Sequence, residues 1–240
     1  MPDKEHNVKK SMTTLGATVL MLFAATSVGV STASAHNTEA PQGKGAGKTA
    51  NLTATLSELN GSGTSGTATV TIRNQRIRNI EVHAMGLTPD APHAQHIHFG
   101  DLALHECPTA EQDTNKDGRL TTVEGVPAYG PVAVSLTTTG DTSPASVLAV
   151  DRFPVAEDGM YHYSRTNIKI TKVAGASPTG GVATAKQVAQ AIRAGKGVVV
   201  IHGQDYNDDG KYSLSAEGAS ELDPAFPAEA TDPAACGVLR

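Results

Sequence analysis

The sequence contains no tryptophan, four phenylalanines and five tyrosines in 240 residues, and only two cysteines. Two cysteines exclude a disulfide-dense miniature domain but are the right number for one bridge. There is no basic excess: the formal charge is −5, which excludes the electrostatic footprint of a nucleic-acid or anionic-lipid binder. Charged residues make up 18% and hydrophobic ones 39%, too weakly charged and too apolar for a wholly disordered chain. No repeat of solenoid period is present. Twenty-four glycines and thirteen prolines without a collagen period indicate many turns. The length suits one ordinary domain with tails.

Only one long apolar run exists, from about Leu15 to Val30. Lys9 and Lys10 precede it and Ser31-Thr32-Ala33-Ser34-Ala35 follows it. A charged start, an apolar stretch and an Ala-x-Ala site predict a secretory signal peptide over residues 1–35. The alternative, a membrane anchor, would need a longer run free of Thr and Ser. Cleavage after Ala35 removes three lysines and two acids and takes the formal charge from −5 to −6. The mature chain is then expected outside the cytoplasm, secreted or in a periplasmic or cell-wall space, with no membrane span. In that oxidising setting Cys107 and Cys236 can pair. Residues 36–50 are small, polar and Gly-rich and read as a flexible linker to one domain over 51–240.

That domain reads as antiparallel β. Leu52, Ala54 and Leu56 alternate with polar residues, as do Ala68, Val70 and Ile72, and then Ile80, Val82 and Ala84. Further strands are expected at residues 94–99, 132–136, 146–150, 160–170 and 198–202, about eight in all. One helix is expected, with Thr184 as N-cap, Val188 and Ile192 on one face and Gly195 as stop. Half-polar strands with short turns predict an all-β Greek-key sandwich or barrel.

Chemistry concentrates in the histidines. Five of the nine lie between His83 and His105. On a strand, His96 and His98 share a face while Ile97 and Phe99 point the other way, into the core. Two imidazoles about 7 Å apart along a strand can converge on one ion. The apolar run Val198–Ile201 delivers His202 to a strand end. Each element alone also fits a structural histidine; three imidazoles together would suit copper or zinc.

At these residues the chain resembles the copper/zinc superoxide dismutases, from about Asn51 onward. Gly86-Leu87-Thr88-Pro89 followed by His96-Ile97-His98-Phe99-Gly100-Asp101 is similar to the family's turn and first copper-ligand strand. Val199-Val200-Ile201-His202 is similar to the strand ending in a further ligand, and Ala235-Cys236-Gly237-Val238-Leu239 to the C-terminal strand carrying the second cysteine. The resemblance implies copper on His96, His98 and His202, and a disulfide between Cys107 and Cys236. A related resemblance is to CHRD-type domains, which carry a Gly-Leu turn and a His-x-His strand without an established activity. The chain departs from the dismutase pattern in several places. No histidine occurs between Cys107 and Tyr161, so the zinc ligands and the bridging histidine are missing and zinc is not expected. No arginine stands in Thr231–Ala235 to guide the anion, and one residue fewer separates His98 from the glycine than is usual. His105 and His162 are candidates for a fourth ligand, although neither matches a family position.

Two acidic loops stand where the missing parts would be. Asp113, Asn115, Asp117, Arg119 (through its carbonyl), Thr121 and Glu124 fit a twelve-residue calcium loop with Gly118 at its sixth position. Asp205, Asn207, Asp209 and Ser213 begin a second, whose acid, Glu217, falls one residue late. Asx turns in β connections are the alternative for both. The expectation is an exported copper-binding, superoxide dismutase-like protein that uses superoxide or metal ions as partners. The alternative is a non-catalytic metal-binding or structural domain stabilised by calcium. Oligomeric state is not readable from the sequence.

Overall fold

The computed structural model describes residues 49–240; the expected signal peptide and residues 36–48 of the expected linker lie outside the described residues. Strand β1 (Thr49–Glu58) buries Leu52, Ala54 and Leu56 and exposes the residues between them. It begins two residues inside the expected linker, because Thr49 and Ala50 pair with Arg73 and Ile72 of β2 (Ser65–Arg73). β2 buries Ala68, Val70 and Ile72, and β3 (Arg76–Met85) buries Ile77, Ile80, Val82 and Ala84. These are the alternating sets of the sequence, and their shared phase puts one apolar face on one core. β4 (Gln95–His98) and β7 (Val198–His202) are instead buried along their whole length. β5 (Val132–Ser135), β6 (Met160–Lys169) and β8 (Pro233–Val238) complete the set.

The eight strands form one antiparallel sheet in the order β5-β4-β7-β8-β1-β2-β3-β6. The connections from β3 to β4 and from β6 to β7 cross from one end of the sheet to the other, a Greek-key path. The sheet curls into a half-barrel around Leu56, Ile80, Ile97, Phe99 and Ile201. Side chains of the edge strand β6 reach the segment that leaves the opposite edge: Tyr163 Oη donates to the Thr137 carbonyl at 3.2 Å and Arg165 to the same carbonyl at 2.6 Å.

Two elements differ from the sequence expectation. Residues 146–150 form no strand; they run from the last residue of one 3-10 turn, Pro144–Ser146, to the first of another, Val150–Arg152. Ser143 caps the first of them and Pro144 fixes its first turn. The eighth strand is β8, which only the family resemblance indicated. Its alanines and glycine carry little β preference, and its place comes from pairing with β7 and β1. The expected helix is α2 (Ala185–Ala191), capped by Thr184 and stopped beyond a π turn where Gly195 takes φ 81°. Two further short helices are present, α1 (Thr122–Tyr129) and α3 (Ala228–Thr231). Cys107 and Cys236 form a disulfide, tying the segment after β4 to β8.

Candidate metal centre

β4 and β7 are neighbours, with His96 opposite Val200 and His98 opposite Val198. Strand alternation turns Ile97 and Phe99 into the barrel core and both histidines to the other face. His202 ends β7 just beyond His96, its N–H bonded to the Ala94 carbonyl at 2.8 Å. The three rings meet there, with centroids 5.1 Å apart for His96 and His202, 5.6 Å for His96 and His98, and 6.0 Å for His98 and His202. One ring nitrogen from each lies within 4.8 Å of the others.

This face is not open to solvent. His96 is 2% exposed, His98 1% and His202 3%. Tyr129 of α1 packs 4.4 Å from the His98 ring and Phe153 packs 5.3 Å from that of His96. A cavity of about 20 Å³, room for roughly one water, adjoins the rings between Val132, Val147, Leu148 and Leu222. Among the described residues no Lys, Arg, Asp or Glu lines it.

Each imidazole is oriented through one nitrogen. His96 Nε2 donates to the Val147 carbonyl at 3.2 Å, His98 Nδ1 to Gly130 at 2.8 Å and His202 Nδ1 to Thr231 at 2.7 Å. Gly130 has φ 87°, and a Cβ there would lie 2.5 Å from Gly100 N; only glycine brings that carbonyl beneath His98. The other three ring nitrogens, His96 Nδ1, His98 Nε2 and His202 Nε2, are buried without a hydrogen-bond partner among the described residues. Burial pushes His98 down to about 3 and His202 down to about 4, the neighbouring His202 adding to the shift at His98. Burial, with His202 and His98 beside it, holds His96 well below its ordinary value. Three neutral imidazoles thus turn bare lone pairs toward one another. An unsatisfied buried acceptor costs about 1–3 kcal/mol, and three imidazoles in one place could hold a metal ion. Backbone carbonyls fix the tautomers, as second partners do for metal-bound histidines.

The structure does not bring the two further histidine candidates to this point. His105 stacks on Phe99, on the opposite face of β4, with centroids 5.7 Å apart. His162 lies on the outer face of β6, stacked on His83. Among the described residues no arginine lines the cavity beside the rings. Arg119 reaches the region, but Asp232 at 2.6 Å, Glu217 at 3.2 Å and Asp117 at 3.9 Å surround its guanidinium.

Both acidic loops fold as series of side-chain-to-backbone turns. Asp113 accepts from the N–H groups of Lys116 and Gly118 at 2.7 and 2.8 Å, Asn115 from Asp117 and Asp117 from Arg119, each at 2.9 Å. Glu124 doubles as the third residue of α1, closing a capping box with Thr121. In the second loop Asp205 accepts from Gly210 at 2.7 Å and Asn207 from Asp209 at 3.0 Å. Glu217, the expected acid of that loop, is instead held by Arg119. A different acid, wholly buried Glu229 of α3, enters the loop and accepts from Ser213 N at 2.7 Å. No spacing motif links Glu229 to Asp205, so the sequence carries no signal for it. The sequence reading also missed His93, whose buried Nδ1 lies 2.9 Å from the His202 carbonyl.

No protein-family model matches the chain, and no curated protein sequence matches it.

Proposed function

We propose that the chain is an exported copper-binding protein of superoxide dismutase-like type, with a copper-only site on His96, His98 and His202. The observation that carries this reading is the convergence of three buried, partnerless ring nitrogens on two adjacent strands. Copper held there would supply one-electron exchange, taking an electron from one superoxide to release dioxygen and giving it to a second, which leaves as peroxide with two solvent protons. The chain's part is to keep three imidazoles neutral and to fix their tautomers through Val147, Gly130 and Thr231. The disulfide supports the export reading. The two acidic loops are read as calcium sites that order the segments over the copper centre.

A second reading, a non-catalytic metal-binding or structural domain, is favoured by the walls of the cavity. They are apolar and lack the basic side chain that would draw in an anion. The deciding experiment is metal analysis of the exported protein, followed by a superoxide assay with and without added copper. Copper uptake with dismutation supports the first reading, uptake without it supports the second, and no uptake removes the first and leaves the structural form of the second.

A further inference from the structure

The outer face of the β3–β6 pair carries a ladder of metal-binding side chains that the buried centre does not use. Three successive cross-strand pairs on this face are Met85 with Met160, His83 with His162 and Glu81 with Ser164. Residues two apart on a strand share a face, so all six side chains rise from one side of the ladder. The two imidazoles are exposed and stacked, with centroids 4.0 Å apart and planes 8° from parallel. Ligand atoms of Glu81, His83 and His162 lie within 4.8 Å of one another. Among the described residues Glu81 forms no ion pair; its contact is Asn79 Nδ2 at 3.1 Å. Met85 is 53% exposed and Met160 54%, two thioethers side by side in the groove that also holds both histidines. The carboxylates of Glu157 and Asp158 line the same groove and favour a cation there.

We infer that this ladder is a second, surface copper site: copper(II) held by His83, His162 and Glu81, and copper(I) held by the same imidazoles with Met85 and Met160. Bonds of about 2.0–2.1 Å from an ion to imidazole nitrogen require the two donor nitrogens to close to roughly 3 Å. Exposed rings can make that rotation without disturbing packing. The backbone needs no change, because β3 and β6 are already fixed by Ile80, Val82 and Tyr163 beneath. Imidazoles serve both oxidation states, the carboxylate prefers the harder ion, and thioethers select the softer one. The inference does not depend on which metal the buried centre takes.

The test uses full-length mature protein dialysed against excess Cu²⁺ with a weak competing chelator, counting copper per chain. His83→Ala/His162→Ala should hold one copper fewer than the wild type. A fall from two to one supports both sites. A fall from one to zero supports the surface site and removes copper from the buried one. Equal counts in the two proteins overturn the surface site. Cu²⁺ added to two equivalents per chain should also broaden the His83 and His162 ring-proton resonances, and their remaining sharp would overturn it independently of any variant. Glu81→Gln, isosteric and on the surface, should weaken this copper(II) by at least the roughly tenfold that loss of an outer partner costs. Met85→Leu/Met160→Leu should weaken copper(I), added with ascorbate, about tenfold or more while leaving copper(II) unchanged. Equal copper(I) affinity in that variant would remove the thioethers from the site.

Discussion

Glu229 stands to the second acidic loop as Glu124 stands to the first. Glu124 accepts from the N–H of Thr114 at 2.9 Å with one oxygen and from that of Thr121 at 3.1 Å with the other. Glu229 accepts from Tyr206 N at 3.4 Å with one oxygen and from Ser213 N at 2.7 Å with the other. Thr114 and Tyr206 are the second residues of their loops, and Thr121 and Ser213 the ninth. The closing acid of the second loop therefore comes from α3, with the intervening chain looped out.

Calcium should stabilise the protein through both loops, by about 2.7 kcal/mol per site at a hundredfold excess over the dissociation constant. Asp117→Ala should remove the contribution of the first loop. Glu229→Gln should remove that of the second, and Glu217→Gln should not. Thermal unfolding with calcium and with chelator reads all three. A melting temperature indifferent to calcium in the wild type would leave both loops as Asx turns.

His96→Ala/His98→Ala should cost the protein one bound copper relative to the wild type. It should also lower stability by roughly 2–5 kcal/mol per side chain, the range for emptying a buried site. Reading the two histidines as lying off the core predicts little loss, but Tyr129, Phe153 and the 144–152 segment cover them. Metal analysis and denaturant unfolding of the purified variant check both parts. An unchanged copper count would remove the site.

Stability of the metal-free protein should depend on these same imidazoles. Burial lowers their pKa in the folded state, to about 3 for His98 and about 4 for His202. The unfolded chain, with imidazoles near 6.5, then binds more protons than the folded one as pH falls below that value. Stability is full above about pH 6.5 and is lost on acidification until the folded-state values are passed, at up to about 1.4 kcal/mol per pH unit for each imidazole. His202→Asn should show a shallower loss between pH 6.5 and 4 than the wild type. Parallel curves would mean that His202 is not buried neutral.

The bridge between Cys107 and Cys236 closes a loop with a sequence separation of 129. The chain-entropy account gives about 5 kcal/mol as an upper figure for its effect. Exported protein, denatured without reductant, should show no free thiol, and reduction should lower the unfolding midpoint. Two titratable thiols would contradict the bridge.

How much was legible follows from the range of each interaction. The alternation of Leu52, Ala54 and Leu56 and the His96-x-His98 pair with Ile97 and Phe99 on the other phase are local, and the structure keeps both. The pairing of His83 with His162 depends on the β3–β6 register, which no local pattern fixes. Residues 146–150 have apolar content suited to a strand but no strand to pair with; their Val147 carbonyl turns to His96 instead. Glu229 and the carbonyl of Thr231 enter their sites from far along the chain, so only the fold reveals them.

Both acidic loops are linked to His202 through shared hydrogen-bond partners, so ordering the loops should be felt at the histidine centre. Thr121 closes the first loop, and the next residue, Thr122, donates its hydroxyl to the Thr231 carbonyl at 2.5 Å. The same carbonyl accepts from His202 Nδ1 at 2.7 Å. From the second loop, the Tyr212 hydroxyl lies 3.0 Å from His93 Nδ1, which lies 2.9 Å from the His202 carbonyl. Gly203, with φ 111°, makes room for that tyrosine, since a Cβ there would lie 2.0 Å from its oxygen. Calcium that orders the loops should therefore hold the His202 ring in place and tighten copper at the buried centre. A coupling of about 1–3 kcal/mol corresponds to roughly 5–150-fold, and linkage requires copper to tighten calcium by the same factor. The measurement is copper affinity with calcium and with a calcium-selective chelator, in the His83→Ala/His162→Ala background so that the surface copper does not contribute. Thr122→Val should reduce the coupling and leave calcium binding by the second loop intact. Equal copper affinities in calcium and chelator would show that the loops and the histidine centre are independent.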